Sequence, residues 1–357
     1  MKAVEPIQYP TPTPVWLRRF TKLVAVATLF LIFAGAMVTS TDSGLAVPDW
    51  PNTYGWFMFS FPLSKMVGGI FYEHGHRLIA STVGLLCIIQ AFWLQFREPR
   101  KFVRRLGWLS LAAVIVQGAL GGLTVIFLLP KAISVSHAAL AEIFFCINVS
   151  IAFFTSRWYG SLSAMEKGDA PVRMAWGLTA LVFLQIFAGA VMRHLGAGLA
   201  IPDFPLSFGR VIPDFATKEI LSAYVHRVGG FVVAAAVIAM AVRLLRYERD
   251  HPLRGLAQLL LLVVSAQILL GGYVIWSGRQ PHITSVHVML GASILALSLV
   301  LTLSARTLRW RRAGSGLAVA GWRLAGDPPA PVSSGSASSP SSLPPTANRQ
   351  PPTGALA

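Results

Sequence analysis

The segment at residues 44–51 reads Gly-Leu-Ala-Val-Pro-Asp-Trp-Pro, and the segment at residues 198–205 repeats it as Gly-Leu-Ala-Ile-Pro-Asp-Phe-Pro. The two copies are 154 residues apart, and each follows an apolar stretch with an Ala-Gly-Ala triplet, at 34–36 and at 188–190. Self-similarity at a fixed separation is the sequence signature of a duplicated architecture. The chain is therefore predicted to consist of two halves with the same fold.

Four histidines follow the same duplication. His76 precedes His137 by 61 residues, His226 precedes His287 by the same interval, and equivalent positions are 150 residues apart. Imidazoles are uncommon inside lipid and usually mark function there. Two imidazoles from facing helices are also what a six-coordinate haem iron needs. The pattern predicts one bis-histidine haem site in each half, and the alternative is a set of helix-end histidines that bind neighbouring backbone.

The composition is typical of an integral membrane protein, since 54% of the residues are hydrophobic and only 12% are charged. Soluble domains contain roughly one quarter charged residues. The sequence predicts an all-α integral membrane fold in which eight apolar stretches each cross the bilayer, because each is near the roughly 20 residues that a spanning helix needs. An even number of spans per repeat gives both halves the same orientation, about an axis along the membrane normal. The stretches lie near residues 23–41, 78–96, 106–129, 132–155, 174–193, 222–242, 256–277 and 283–305.

The distribution of basic residues predicts the topology. Of the 30 Lys and Arg residues, 22 lie before the first span, after the second, fourth and sixth spans, or in the tail, so both termini are predicted to be cytoplasmic. The net charge of +16 fits anionic lipid as a partner, whereas nucleic acid is excluded because the charges are scattered over short loops. The predicted organisation is a disordered leader (1–14), an N-terminal half (15–160), a cytoplasmic linker (161–173), a C-terminal half (174–312) and a disordered cytoplasmic tail (313–357).

Two acids distinguish the halves. Glu73 lies three residues before His76, and its repeat equivalent is Ala223, while Glu142 has Ala292 as its equivalent. A carboxylate beside a buried haem can relay protons or stabilise charge. The alternative for Glu73 is an acid favoured by the dipole at a helix N-terminus. The asymmetry predicts that the first half performs the chemistry and the second holds a bound cofactor, with the role of Glu142 left open.

Arg77 and Arg227 follow the first histidine of each pair at the outer boundary of the predicted spans. Arginine binds carboxylates with a bidentate fork, so both are candidates to bind haem propionates. The alternative is a pair of boundary arginines whose charged heads reach the membrane surface.

Together these motifs resemble the haem A synthase family. The resemblance covers about residues 15–312 and depends on the combination of motifs. The matching features are Glu73-His74-Gly75-His76-Arg77, the Gly-Ala-Leu-Gly-Gly run at 118–122, Ser136-His137-Ala138, His226-Arg227, His287 and the two Pro-Asp-aromatic-Pro loops. Some members have a cysteine before Pro-Asp-Trp-Pro, where this chain has Val47, so it is similar to the cysteine-free subtype.

The resemblance implies two tandem four-helix bundles with pseudo-twofold symmetry, in the bacterial cytoplasmic membrane. It implies that His226 and His287, with Arg227, bind a haem b cofactor, and that His76 and His137, with Arg77, bind haem O as substrate. Glu73 would assist the stepwise hydroxylation of the C8 methyl group of haem O to a formyl group. The implied partners are haem O synthase, bound transiently, and a membrane electron donor, and a homo-oligomer is compatible with the family.

Two other functions fit a di-haem membrane protein. One is a b-type electron carrier for quinol oxidation, and the other is a haem exporter or chaperone without catalysis. Carriers usually place their haems near opposite membrane faces, whereas both histidine pairs here lie near the outer face. The acids of the first half disfavour a pure haem-handling role only mildly.

Overall fold

The computed structural model describes residues 13–162, 171–247 and 251–317, and the regular secondary structure in these ranges is helical. Eight helices are long and apolar enough to cross a membrane, which confirms the predicted number of spans. A short helix, α5, covers Arg157–Ser161. The long helices are α1 (Val15–Ser40), α2 (Gly69–Arg97), α3 (Lys101–Ile126), α4 (Lys131–Thr155), α6 (Val172–His194), α7 (Lys218–Leu245), α8 (Pro252–Trp276) and α9 (Pro281–Leu317).

The helix boundaries differ from the apolar stretches at several ends. Helix α2 begins at Gly69, nine residues before the predicted span, because its first turns contain Glu73, His74, His76 and Arg77. A span defined by hydropathy leaves such polar residues out. The helix nevertheless includes them, because a helical backbone satisfies its own hydrogen bonds whatever the side chains are. Helix α9 continues to Leu317, past the predicted end of the second half. Residues 1–12 of the predicted leader, the middle of the linker and most of the tail lie outside the described residues.

The packing of the helices follows the order of the chain. In the first half α1 packs on α2 and α4, and α3 packs on α2 and α4. In the second half α6 packs on α7, and α7 packs on α8, while α4 contacts α6 across the two halves. Helices inside a bilayer associate through close packing of small residues, since lipid is as apolar as their side chains. Gly107 illustrates this, because a methyl group on it would lie 2.9 Å from Leu94 Cδ1.

The core of the first half contains a cluster of three hydrogen-bonded polar side chains. The amide oxygen Oδ1 of Asn148 accepts hydrogen bonds from Gln90 Nε2 and from Ser110 Oγ, each at 2.9 Å. The three side chains are completely buried and come from α4, α2 and α3. At the repeat equivalents of Gln90 and Ser110 the second half has Met240 and Leu260, both in its apolar core. Hydrogen bonds among these side chains therefore join three helices of the first half. In the second half the two equivalent positions are apolar, and a buried hydrogen bond of 2.9 Å between Thr179 Oγ1 and Thr302 Oγ1 joins α6 to α9.

The duplicated outer loops share one local structure. The carboxylate of Asp49 accepts hydrogen bonds from the backbone N–H groups of Tyr54 and Gly55, at 2.7 and 2.8 Å. Asp203 accepts the equivalent bonds from Phe208 and Gly209 at the same distances. The two bonds from Gly209 and Phe208 hold the pKa of Asp203 below its ordinary value. The acid of each Pro-Asp-aromatic-Pro motif therefore closes the turn that follows it.

Candidate functional site

Each of the four repeated histidines packs against a glycine of the preceding long helix. The histidines lie in the second or third turn of their helices, as the sequence predicts. A methyl group placed on the facing glycine would lie 2.8–3.2 Å from Cε1 of the imidazole, which is closer than an ordinary van der Waals contact, so the absence of a side chain lets the ring pack against the backbone. The four pairs are His76 with Gly35, His137 with Gly121, His226 with Gly189, and His287 with Gly271.

In the second half the two imidazoles face each other at a separation suited to a shared metal. The ring centroids of His226 and His287 are 6.5 Å apart, and the ring planes are inclined by 77°. Imidazole–metal bonds of about 2 Å on either side of one ion give ring centres roughly 6–7 Å apart. The separation of the two rings is therefore compatible with ligation of one haem iron by both imidazoles.

In the first half His76 and His137 are close enough to interact electrostatically. The Nδ1 atoms of both rings are buried and have no hydrogen-bond partner among the described residues, and the same holds for Nδ1 of His287. A buried nitrogen without a partner is costly, unless a metal or a proton acceptor satisfies it. The unpaired nitrogens are therefore consistent with metal ligation in both halves.

Three glutamines that belong to none of the motifs described above contact the histidines. Gln117 Nε2 donates to the backbone carbonyl of His137 at 2.9 Å, and Gln267 Nε2 donates to that of His287 at 3.0 Å. Gln117 and Gln267 are 150 residues apart, which is also the separation of His137 and His287, so the repeat could have indicated that these glutamines belong to the site. The third, Gln185, contacts His226 and has no counterpart in the first half, because Leu31 stands at the equivalent position.

The arginines that follow the histidines bind the outer loops. Arg77 donates from Nη1 to the carbonyl of Asp49 at 2.7 Å and from Nη2 to that of Val47 at 3.0 Å. Arg227 donates from Nη1 to Leu206 O at 2.8 Å and from Nη2 to Ile201 O at 2.7 Å. These donors anchor each loop to its histidine helix. Contact between these arginines and haem propionates stays a prediction.

The loops are also seated on the second glycine of each Gly-Gly pair. A methyl group on Gly122 would lie 2.6 Å from the indole ring of Trp50, and one on Gly272 would lie 2.8 Å from the ring of Phe204. The first glycine of each pair accommodates the histidine and the second accommodates the loop aromatic. This double requirement explains why the Gly-Gly pair and the aromatic position are duplicated together.

Glu73 links its helix to the outer loop. Its side chain is nearly completely buried, Oε1 pairs with Arg77 Nη2 at 2.6 Å, and Oε2 accepts from Val47 N at 2.7 Å. The second half has Ala223 at this position. Glu73 is therefore held rigidly one helical turn from His76, whereas its catalytic assignment stays a prediction.

The remaining residues singled out in the sequence lie elsewhere. His74 Nδ1 lies 3.0 Å from Thr53 Oγ1, and the His74 ring packs against Phe61, so this histidine supports the outer loop. Glu142 is buried in α4, and its Oε2 has no hydrogen-bond partner among the described residues.

Comparison with known proteins supports the resemblance. A family model described as a cytochrome oxidase assembly protein, COX15-CtaA, matches residues 18–299. The chain is 28% identical to a heme A synthase of Symbiobacterium thermophilum over 68% of this chain and 80% of the relative. It is 29% identical to a heme A synthase of Novosphingobium aromaticivorans over 83% of this chain and 96% of the relative. For a heme A synthase of Geobacillus kaustophilus, the identity is 25% over 82% and 93%. With its eight apolar helices, this multi-pass membrane protein belongs to the COX15-CtaA family of cytochrome oxidase assembly proteins.

Proposed function

We propose that this protein is a haem A synthase, an oxidoreductase that converts the C8 methyl group of haem O to a formyl group. The relatives named heme A synthase extend over most of the chain. The observation that carries the proposal is the duplicated site, in which two pairs of imidazoles are seated on four glycines. The 6.5 Å separation of His226 and His287 fits a bis-histidine haem.

We assign different roles to the two halves. His226 and His287, with Arg227, would hold a haem b cofactor, whereas His76 and His137, with Arg77, would hold the haem O substrate. The asymmetry of the acids supports this assignment, because Glu73 and Glu142 have alanine equivalents in the second half. When bound, the haem groups supply the redox chemistry, and the protein supplies position and polarity.

The reaction replaces C–H bonds of one methyl group. Each of two successive hydroxylations would break one C–H bond and form one C–O bond at the same carbon, with dioxygen as the source of the oxygen atom and two electrons from the membrane donor reducing the other oxygen atom to water. Loss of water from the resulting diol leaves the aldehyde. We assign Glu73 as the residue that holds or accepts a proton beside the substrate, because an acid three residues before His76 shares its helix face. Its bonds to Arg77 and Val47 fix the carboxylate. The loop seated on Gly122 by Trp50 would limit the access of water.

The arrangement in the membrane is part of the same proposal. The contacts of α1 with α2 and α4, and of α3 with α2 and α4, support a four-helix bundle in the first half, and the repeat supports a second. The distribution of basic residues supports cytoplasmic termini in a bacterial cytoplasmic membrane. Haem O would arrive from haem O synthase, and electrons would be exchanged with a membrane carrier.

The decisive test combines cofactor content with product formation. Cells that supply haem O would express the wild-type chain, His226→Ala or His76→Ala, and the extracted haems would be identified by mass. The wild type should form haem A and carry low-spin haem b. His226→Ala should lose the tightly held haem b, whereas His76→Ala should keep it and form no haem A. A wild-type chain that binds two haems but forms no haem A, with oxygen and a reductant present, would favour the electron carrier instead.

A further inference from the structure

The four candidate ligands are not held equally. Gln185 Nε2 donates to the backbone carbonyl of His226 at 2.6 Å and lies 3.1 Å from Nδ1 of the same ring. Gln117 and Gln267 hold the backbone carbonyls of His137 and His287 in a similar way. His76 is the exception among the described residues, because it has no glutamine contact, and only His226 has a glutamine beside its Nδ1, since Nδ1 of His76, His137 and His287 has no partner there.

The difference arises at one repeated position. Gln185 lies four residues before Gly189, the glycine on which His226 rests, so both face the same ring. Leu31 lies four residues before Gly35, on which His76 rests. Leucine has no hydrogen-bonding group, so α1 cannot orient the ring of His76 as α6 orients that of His226.

Contact with the second ring nitrogen matters for a metal ligand. A histidine that binds metal through one nitrogen usually has its other nitrogen paired with a neighbouring group, which fixes the ring orientation and raises ligand basicity. The amide of Gln185 can serve either form of the ring, since its NH₂ group donates to a bare Nδ1 and its oxygen, once the amide is turned, accepts from Nδ1–H. Loss of such a partner typically lowers metal affinity about 10–100-fold.

We propose that Gln185 makes His226 a permanent haem ligand, and that Leu31 leaves His76 as the ligand that releases its haem. Gln185 is then a positioning residue, and one position in the repeat decides which half retains its haem and which exchanges it. The inference rests on the proposed function, because a haem A synthase must keep one haem while substrate enters and product leaves the other site. His137, held by Gln117, would stay in place while His76 opens.

The loss of retention is tested with Gln185→Leu and Gln185→Met in the full-length protein, purified with its own haem b. Release is followed by transfer of haem to excess apomyoglobin. Methionine matches glutamine in length but cannot hold the ring, so both variants should release haem about 10–100-fold faster than the wild type. Both should also change the low-spin electron paramagnetic resonance signal, which reports ring orientation. A wild-type release rate and signal in Gln185→Met would overturn the proposal.

The gain of retention is tested at the first site alone. In a His226→Ala background, haem b is added to the purified protein, and its release is compared with and without Leu31→Gln. The added amide should slow release about 10–100-fold. A release rate that Leu31→Gln leaves unchanged would overturn the proposal, and this arm does not depend on a destabilised variant.

The haem A synthase activity and the role of Gln185 and Leu31 can be tested independently. A wild-type chain that forms no haem A would overturn the proposed function, whatever the release rates. Unchanged release rates in Gln185→Met and Leu31→Gln would overturn the role of the repeated position, even if haem A is formed. Faster release in the first variant and slower release in the second would support it.

Discussion

At the scale of single residues, the carboxylate of Glu73 uses both of its oxygens in hydrogen bonds. One oxygen contacts the Arg77 guanidinium and the other accepts a backbone hydrogen bond from Val47. The same carboxylate can therefore act in catalysis, or it can simply hold the outer loop against α2. Substitutions that differ in hydrogen bonding can separate these two roles.

We expect Glu73→Gln and Glu73→Ala to lower the conversion of haem O to haem A by about 10²–10⁴-fold, because both remove an acid–base group beside the substrate. Glutamine keeps one oxygen that can accept from Val47 N, while its NH₂ group then faces the Arg77 guanidinium, so Glu73→Gln should preserve the hydrogen bond to the loop and lose the ion pair. Haem extraction measures the product, and the bound haem b is the control for folding. Near-normal haem A from Glu73→Gln, with loss only in Glu73→Ala, would leave Glu73 a structural role.

At the scale of helices, the histidine sites depend on how closely neighbouring backbones approach. His226 on α7 touches Gly189 on α6, and His137 on α4 touches Gly121 on α3. The site is thus built from pairs of helices in which one supplies the ligand and the other supplies the space. The contact is closest at Gly189, where an added methyl group would force the ring of His226 or the backbone to move.

Gly189→Ala should displace His226, because the added methyl group would lie 2.8 Å from Cε1 of the ring. We expect loss of most of the bound haem b, or a shift away from the low-spin spectrum. Gly177→Ala is the matched control on the same helix, since a methyl group there meets no atom within 4 Å. Absorption spectra and haem content of the purified variants provide the measurement. Equal haem content in both variants would contradict the role of the glycine.

At the scale of the whole molecule, a partly buried arginine joins the two halves. Arg193 at the end of α6 donates from Nη2 to Ala36 O and to Ser40 Oγ on α1, each at 2.7 Å. Ser40 is also 3.2 Å from Ser285 on α9. Ala36 follows Gly35, which faces His76, and Ser285 lies two residues before His287. These contacts between the halves, which we call the seam, therefore lie next to residues of both histidine pairs.

Arg193→Leu should destabilise the protein by about 2–4 kcal/mol, since hydrogen bonds from a charged donor contribute about 1.5–3 kcal/mol each and the two contributions only partly add. Arg210→Leu is the control, because the ion pair of Arg210 with Asp214 is exposed and such pairs contribute little. Thermal unfolding in detergent measures both. If the two variants unfold at the same temperature, Arg193 does not stabilise the seam.

Topology is the second property of the whole molecule. Reporter fusions after residues 160 and 312 should be cytoplasmic, and a fusion within 43–72 should be external, because most basic residues are expected on the cytoplasmic side. The orientation places all four repeated histidines near the outer face. An external reporter after residue 312 would reverse the orientation and move both sites to the cytoplasmic side.

The sequence alone determined the features that depend on local composition and repetition. Eight spans follow from apolar stretches of sufficient length, and the four histidines follow from two equal spacings. Each of these signals lies within one helix or in the comparison of two segments. Hydropathy placed the start of α2 too late, because the first turns of that helix contain polar residues.

Only the tertiary structure decided which side chains meet. The partners of the arginines and of Glu73 lie on loops whose backbone carbonyls and amides leave no trace in the residue pattern. Gln185 could not be linked to His226, because the two are 41 residues apart on helices whose rotation is set by packing at Gly189. The structure shows that Gln185 and Leu31 each lie four residues before a glycine that contacts a histidine. Only this arrangement relates the two residues to the two candidate haem sites. Whether the residue at this position contacts a histidine depends on how two helices pack, and a single segment of sequence does not specify that packing.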